Sequence, residues 1–203
     1  MDTGKVLRLE SVSSTQDVAR ELPIGSIVVA DHQTAGRGRH ERRWDAPPGT
    51  ALLSSFVLAP NPLLSLAAGI AAAEACGRDV RLKWPNDLLL DGHKLGGILV
   101  ENRSGKAVCG IGINLTWAPP GAARLDQPRE EVLERLVEEI ATWSPAPPGL
   151  VLPRWRELSA TLGRRVRIEV SGRVTEGTAQ DLGPNGELIV DGVPFVAGSV
   201  MHL

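Results

Sequence analysis

Apolar and polar positions alternate along the chain in short runs, broken by one long stretch with no period. Residues 6–9 read as a short strand, and 26–31, apolar and β-branched, as a buried one. Between them Ser13 and Ser14 are placed to cap a helix over 15–22, which Pro23 and Gly25 stop. Strand character returns over 51–58. Asn61, with Pro62 at the first helical position, predicts a helix running to Cys76 and ending at Gly77. Its Ala/Leu-rich sequence implies burial on most sides. Strands over 80–84 and 88–90 lead into Asp91-Gly92, a two-residue hairpin turn. Residues 94–102 pair back, Ser104-Gly105 turns, and 106–114 forms the next strand. A helix over 129–143 gathers Val132, Leu133, Leu136, Val137 and Ile140 on one face. Pro145, Pro147 and Pro148 predict a break, followed by a short helix over 154–162.

Residues 33–50 carry Gly36, Gly38, Pro47, Pro48 and Gly49 with basic residues between them. A loop of that length inside a compact domain is usually functional or disordered. Residues 116–128 form a second, Pro- and Gly-rich loop. From 164 onward the texture changes to short β-like runs separated by Gly172, Gly177, 183–186, Asp191-Gly192 and Gly198. Strands and turns alone, over that length, predict a small β-barrel. The chain therefore reads as two units, 1–160 and 161–203.

With 42% hydrophobic and 23% charged residues, a folded globular protein is expected. A net charge of −2 argues against a general nucleic-acid coat. The charge is uneven: Arg37, Arg39, Arg42 and Arg43 crowd one stretch, and Glu130, Glu131, Glu134, Glu138 and Glu139 another. Cys76 and Cys109 lack metal-type spacing and read as buried free thiols. The four histidines are scattered, and no metal ligands can be named. Residues 1–10 are charged and lack the apolar core of a signal peptide, and the longest apolar run, 63–73, is too short to span a bilayer. A cytoplasmic protein without membrane contact is the expectation.

Three segments carry candidate chemistry. In 33–44, QTAGRGRHERRW, Gly36 and Gly38 let backbone approach a ligand, while Arg37 and Arg39 offer forked donors to carboxylate or phosphate. A solvated basic loop is the plainer reading of the same residues. In 83–99, KWPNDLLLDGHKLGGIL, two of only four lysines appear in a chain with eighteen arginines. Arginine is the default cation here, so Lys83 and Lys94 mark places where a compact ammonium is wanted. Gly96 and Gly97 leave room against the strand, although a surface hairpin lysine has the same sequence. In 110–115, GIGINL, alternate glycines strip one strand face, and backbone or ligand must cover it. Asn114 at the strand end can reach a phosphate or ribose, or simply close a turn.

Together these segments resemble the biotin–protein ligase family. GRGR followed by Trp44 is similar to the family's GRGRRGRxW loop, KWPND followed by KLGGIL to its second signature, and GIGIN to its third. Order and spacing match as well, over residues 13–203. Five specified residues such as KWPND recur at a given place by chance about once in several million. One departure stands out: His40-Glu41 replaces the family's Arg-Gly, and Glu41 brings a negative charge into a loop expected to close on an anion.

The resemblance implies an α+β fold: a mixed, mainly antiparallel sheet with helices, like the class II synthetases, then a small SH3-like barrel. It implies that biotin's carboxylate attacks the α-phosphate of ATP, and that a lysine of a biotin carboxyl carrier protein then attacks biotinyl-5′-AMP. Lys94 is implied to bridge carboxylate and α-phosphate, with Arg37 and Arg39 on the phosphates and Mg2+ on the leaving pyrophosphate. Ser14, Thr15 and Gln33 are implied to bind the ureido edge of biotin. Gly38 and the bare faces near Gly97 and Gly112 would hold its ring and tail. Trp44 or Asn86 would meet adenine, Trp44 by stacking unless it is ordinary core, and Asn114 the nucleotide. Asp87 would either take a proton from the acceptor lysine or fix the geometry around Lys83. With the motifs starting at Ser13, no DNA-binding domain and no DNA partner are expected. The oligomeric state, a homodimer included, is left open. A lipoate–protein ligase or octanoyltransferase on a related fold is the enzymatic alternative, and a non-catalytic nucleotide or RNA binder the other.

Overall fold

The computed structural model describes residues 6–39, 42–77 and 79–203. Seven strands make one sheet: β1 (Val6–Val12), β2 (Ile27–Gln33), β3 (Ala51–Leu58), β4 (Arg81–Lys83), β5 (Asp87–Leu90), β6 (His93–Arg103) and β7 (Lys106–Asn114). Their spatial order is β1-β2-β3-β7-β6-β5-β4, and only β1 and β2 run parallel. The expected α+β class with a mixed, mainly antiparallel sheet is what the chain forms.

Strand alternation sorts the two faces. Ile111 and Ile113 of β7 and Leu52 and Phe56 of β3 turn toward α2 (Leu64–Cys76), where almost every residue is buried. That helix is apolar all round because α3 (Arg129–Trp143) and α4 (Pro148–Leu158) cover its other sides. On the opposite face Val28, Val57 and Val108 pack under the short α1 (Thr15–Ala19), and the rest of that face is the floor of the cavity described below. Burial pushes the free thiols of Cys76 and Cys109 up to about 12, as expected of inert core residues. Among the described residues no helix is long and apolar enough to cross a membrane.

Helix α1 ends at Ala19 rather than 22, its last residues passing into i→i+3 turns, and the other two departures have identifiable reasons. Asn61 does not cap the helix: its Oδ1 accepts from Leu63 N at 2.9 Å in a preceding turn, and the helix begins at Leu64, with Leu63 at the cap, rather than at Pro62. Pro147 and Pro148 do not break the chain before a helix over 154–162. They open α4 instead, Pro148 sitting where the missing N–H costs nothing.

The C-terminal strands β8 (Arg165–Val170), β9 (Arg173–Leu182), β10 (Leu188–Val190), β11 (Val193–Phe195) and β12 (Ser199–His202) form a five-stranded antiparallel sheet, ordered β11-β10-β9-β8-β12. The small β unit expected at this end is this sheet, and no pairing joins β11 to β12 among the described residues. Strand β9 is long enough to pair with β8 through its first half and β10 through its second, which bends the sheet without closing it. The two sheets are joined at Trp84 and Thr161. Trp84 donates its backbone N–H to Thr161 Oγ1 and its Nε1–H to Gly186 O, both at 3.0 Å.

His202 Nε2 lies 3.2 Å from the same Thr161 hydroxyl. Burial, with help from Lys83 and Arg164, drops its pKa from 6.5 to about 4. The folded state therefore favours the neutral ring. The stability this gives is complete above pH 6.5 and is lost as pH falls toward 4, because the unfolded chain takes up the proton first. The melting temperature of the native chain should fall more steeply than that of His202→Gln across this window; parallel curves would assign the acid sensitivity elsewhere.

Candidate active site

A cavity of about 820 Å³ opens on the face of the large sheet not covered by α2. Ser14, Thr15, Gln33, Arg37, Gly38, Arg39, Trp44, Asn86, Lys94, Gly97, Gly112 and Asn114, all singled out from sequence, line it, as do Lys83 and Asp87; Gly36 and Gly96, expected to leave room for a ligand, do not, and face Trp44 O and Gly112 O instead.

One end is polar and enclosed. Gln33 Oε1 accepts from Thr15 N at 2.8 Å and Thr15 Oγ1 at 3.0 Å. Ser55 Oγ lies 2.8 Å from Thr15 Oγ1 and 2.9 Å from Gln16 Oε1, and with one proton it donates to one at a time. Ser14 is buried, and its hydroxyl makes no capping bond to α1. The floor beside these groups is β7, whose alternation sends Gly110, Gly112 and Asn114 upward and the isoleucines into the core. The indole of Trp44 lies on Gly112, where a Cβ would meet ring atoms at 2.8 Å. Trp44 Nε1 is buried without a partner among the described residues, and the ring packs, as Trp117 does, against Ala46, Ala51 and Leu53. Trp44 thus forms part of the apolar wall next to the polar end.

The arginine loop folds back on itself. Arg37 and Arg43 form a bridge, Gly38 N donates to Arg42 O at 2.7 Å, and Trp44 N donates to Gly36 O at 2.9 Å. A Cβ at Gly36 would collide with the carbonyl oxygen of Trp44, so the close return requires glycine there. Arg37 is held by Asp17 through both guanidinium ends, at 2.6 and 3.1 Å, and Arg20 grips the same carboxylate at 2.8 Å. The Arg37 hydrogen bonds hold the Asp17 carboxyl below the usual carboxylate range. Arg39 points deeper, donating to Asn86 Oδ1 at 3.0 Å, while Asn86 Nδ2 donates to Ile98 O at 2.8 Å. Both ends of the Asn86 amide are therefore committed, and its evident work is to aim Arg39. Burial pulls the Arg39 pKa down, against the nearby Asp87. Asn114 is likewise engaged, donating to Ala123 O at 2.9 Å. His40 and Glu41, the departure noted in the sequence, lie outside the described residues.

Lys94 stands at the centre, its Nζ 2.6 Å from Asp87 Oδ1. A bulge puts it there. Leu88 pairs with Gly96 and Leu89 with Lys94, so Leu95 is an extra residue that drops into the core. Were the pairing regular through these same residues, Leu95 would take the cavity face and Lys94 the face opposite Gly97. The residue-free face of Gly97 leaves the Nζ only 3.7 Å from where a Cβ would be. The 116–128 loop returns to clamp this strand: Ala122 bridges Lys94, and Ala123 N donates to Lys94 O at 2.9 Å. Sequence reasoning missed this clamp and also Gln16, Asp17, Ser55 and Trp117. It missed the second sheet's share of the wall, Arg167, Glu169 and Ser199, as well. Gln16 follows Ser14-Thr15 and was open to inference; the others come from elements paired only in space.

Residues 6–116 match the model of the biotin/lipoate A/B protein ligase family, and residues 161–203 that of the biotin protein ligase C terminal domain. The chain belongs to the biotin/lipoate A/B protein ligase family. It is 35% identical to the biotin–[acetyl-CoA-carboxylase] ligase of Mycobacterium tuberculosis, over 88% of this chain and 79% of that one. The fold is similar to biotin protein ligase from Aquifex aeolicus in complex with biotin and ATP, with a TM-score of 0.85, 26% identity and 98% of each chain covered. It is also similar to biotin acetyl coenzyme A carboxylase synthetase from Helicobacter pylori with bound biotinylated ATP. That match has a TM-score of 0.77, 25% identity, and covers 95% of this chain and 99% of that one.

Proposed function

We propose that this chain is an ATP-dependent biotin–protein ligase: it joins biotin to AMP, then passes the biotinyl group to a lysine of a biotin carboxyl carrier domain. The observation that carries the reading is the position of Lys94 Nζ between a closed polar pocket and a cationic loop. The pocket lined by Ser14, Thr15, Gln16 and Gln33, with Ser55 bonded behind them, suits a ureido group, which both donates and accepts; the Gly112 and Trp44 wall suits its ring and tail. A lipoyl or octanoyl group has nothing to offer those polar atoms, which argues for biotin over the alternative acyl groups.

In the first step a carboxylate oxygen bonds to the α-phosphorus, and the bond to the bridging oxygen breaks to release pyrophosphate. Two like charges about 4 Å apart repel by about 4 kcal/mol at an effective dielectric near 20. An ammonium between them reverses the sign. Lys94 has three N–H donors; Asp87 takes one and orients the group, leaving two for the carboxylate and α-phosphate oxygens. Arg39, aimed by Asn86, covers the phosphate side, and Arg37 lies on the same loop. In the second step the carrier lysine attacks the acyl carbon and AMP leaves. The rest is positioning. Mg2+ would enter as part of the MgATP substrate and offset the charge of its phosphates, with one or two cavity carboxylates available to it. Asp45, Asp87 and Glu169 line the cavity, and no cluster of three or more ligating side chains exists among the described residues. Residues 1–160 form the catalytic unit in this reading, with 161–203 closing one wall; the carrier is that of acetyl-CoA carboxylase or a related carboxylase.

Incubation with labelled biotin, MgATP and a carrier domain tests the proposal: label should move to the carrier only when all are present, and labelled lipoate should not substitute. Arg39→Gly should loosen retention of the adenylate, so that free biotinyl-AMP escapes and labels bystander proteins. Unchanged retention in a filtration assay would remove Arg39 from this role.

A further inference from the structure

Lys83 is a cation that the scheme above leaves without work. It lies in β4, lines the cavity, and is half-buried. Among the described residues it has no ion pair and no hydrogen bond to its side chain. Its register partner across β5 is Asp87, whose carboxylate is already committed to Lys94 at 2.6 Å. Burial lowers the Lys83 pKa, against the attraction of the nearby Asp87 and with Lys94 and Arg42 adding to the fall. A half-buried ammonium whose one facing carboxylate is shared with a second lysine is under-compensated until something anionic arrives to meet it.

Its place in the sheet says which anion. Lys83, Asp87 and Gly97 are in register across β4, β5 and β6, so their side chains share the cavity face. The polar pocket lies at the other end of that face, under α1 and over β3 and β7. Lys94 falls between the two ends. In a phosphoryl-type displacement the attacking and leaving oxygens are roughly in line. With biotin's carboxylate approaching from the α1 end, the bridging oxygen departs toward β4. We infer that Lys83 binds the β- and γ-phosphates of ATP and holds the pyrophosphate as it leaves. The inference rests on the ligase reading and divides the work between two ammonium groups. Lys94 serves the bond being made, and Lys83 the group being expelled. No proton moves through Lys83; its N–H groups donate to the oxygens on which the departing electron pair settles.

Lys83→Met is the test, read in three ways. The KM for ATP should rise about 10- to 100-fold, the scale of one charge-assisted hydrogen bond, with the KM for biotin unchanged. Product inhibition by pyrophosphate should weaken by a similar factor. Transfer from separately prepared biotinyl-AMP to the carrier should proceed as in the native chain, since that substrate lacks the β- and γ-phosphates. Lys83→Arg should recover part of the ATP affinity, and Lys83→Gln repeats the measurements if the methionine variant is insoluble. Unchanged ATP and pyrophosphate dependence overturns the inference, and so does an equal loss in transfer from the preformed adenylate, which would make Lys83 structural. A native chain that forms no biotinyl-AMP overturns the ligase reading instead, a result visible before any variant is made.

Discussion

Lys94→Ala should lower pyrophosphate release with biotin and ATP by about 10²–10³-fold, the usual effect of removing one preorganised charge-stabilising donor. The loss is expected in the first step because the ammonium stands where two anions meet and cancels their repulsion. Folding should hardly change. Lys94 and Asp87 form a partly exposed pair, and such pairs add little to stability. Lys94→Arg should not restore the rate. A planar fork has a different reach and cannot place three donors around one point as an ammonium does. The measurement is steady-state pyrophosphate release under saturating substrates, beside a thermal melt. Native rates in the alanine variant would remove this residue from the chemistry.

Trp84→Ala should destabilise the chain by about 3–5 kcal/mol, the range for truncating a large buried aromatic. Trp84 is 2% exposed and packs into the core shared by α2 and the first sheet. It is also the joint to the second sheet through Thr161 and Gly186. Truncation leaves a cavity and an unpaired Gly186 carbonyl, so both sheets are affected. Trp84→Phe, keeping most of the volume but not the indole N–H, should lose clearly less. Equilibrium urea unfolding measures the difference, and an alanine variant within about 1 kcal/mol of native would show the site collapsing without penalty. The expectation gives the Trp of KWPND an architectural role, separate from the lysine and asparagine on either side of it.

Much of the site was legible because its chemistry sits in short contiguous runs. Asp91-Gly92 announced the hairpin that carries Lys94, and the alternation in GIGIN told which face of β7 is bare. What could not be read depends on pairing between distant segments. The placement of β7 between β3 and β6, which brings Gly112 beside Gly97, is one case. The return of 116–128 onto Lys94 is another: Pro and Gly advertise a loop, not its destination. Asp17 reads in the sequence as an ordinary polar residue of a helix, and only the fold brings Arg37 onto it. The contribution of β8 and β12 to the cavity wall belongs to the same category, since nothing local to 165–202 records what it faces.

The extra residue at Leu95 has a consequence for anyone altering this hairpin. Strand phase has a period of two, so one further residue inserted between Lys94 and Gly97, with the bulge kept, would turn the amine half a turn into the hydrocarbon interior. An insertion of two would spare its orientation and shift only its distance from Asp87. Chain length in this strand thus acts as a switch on reactivity, and a library that varies residue identities alone will never find it.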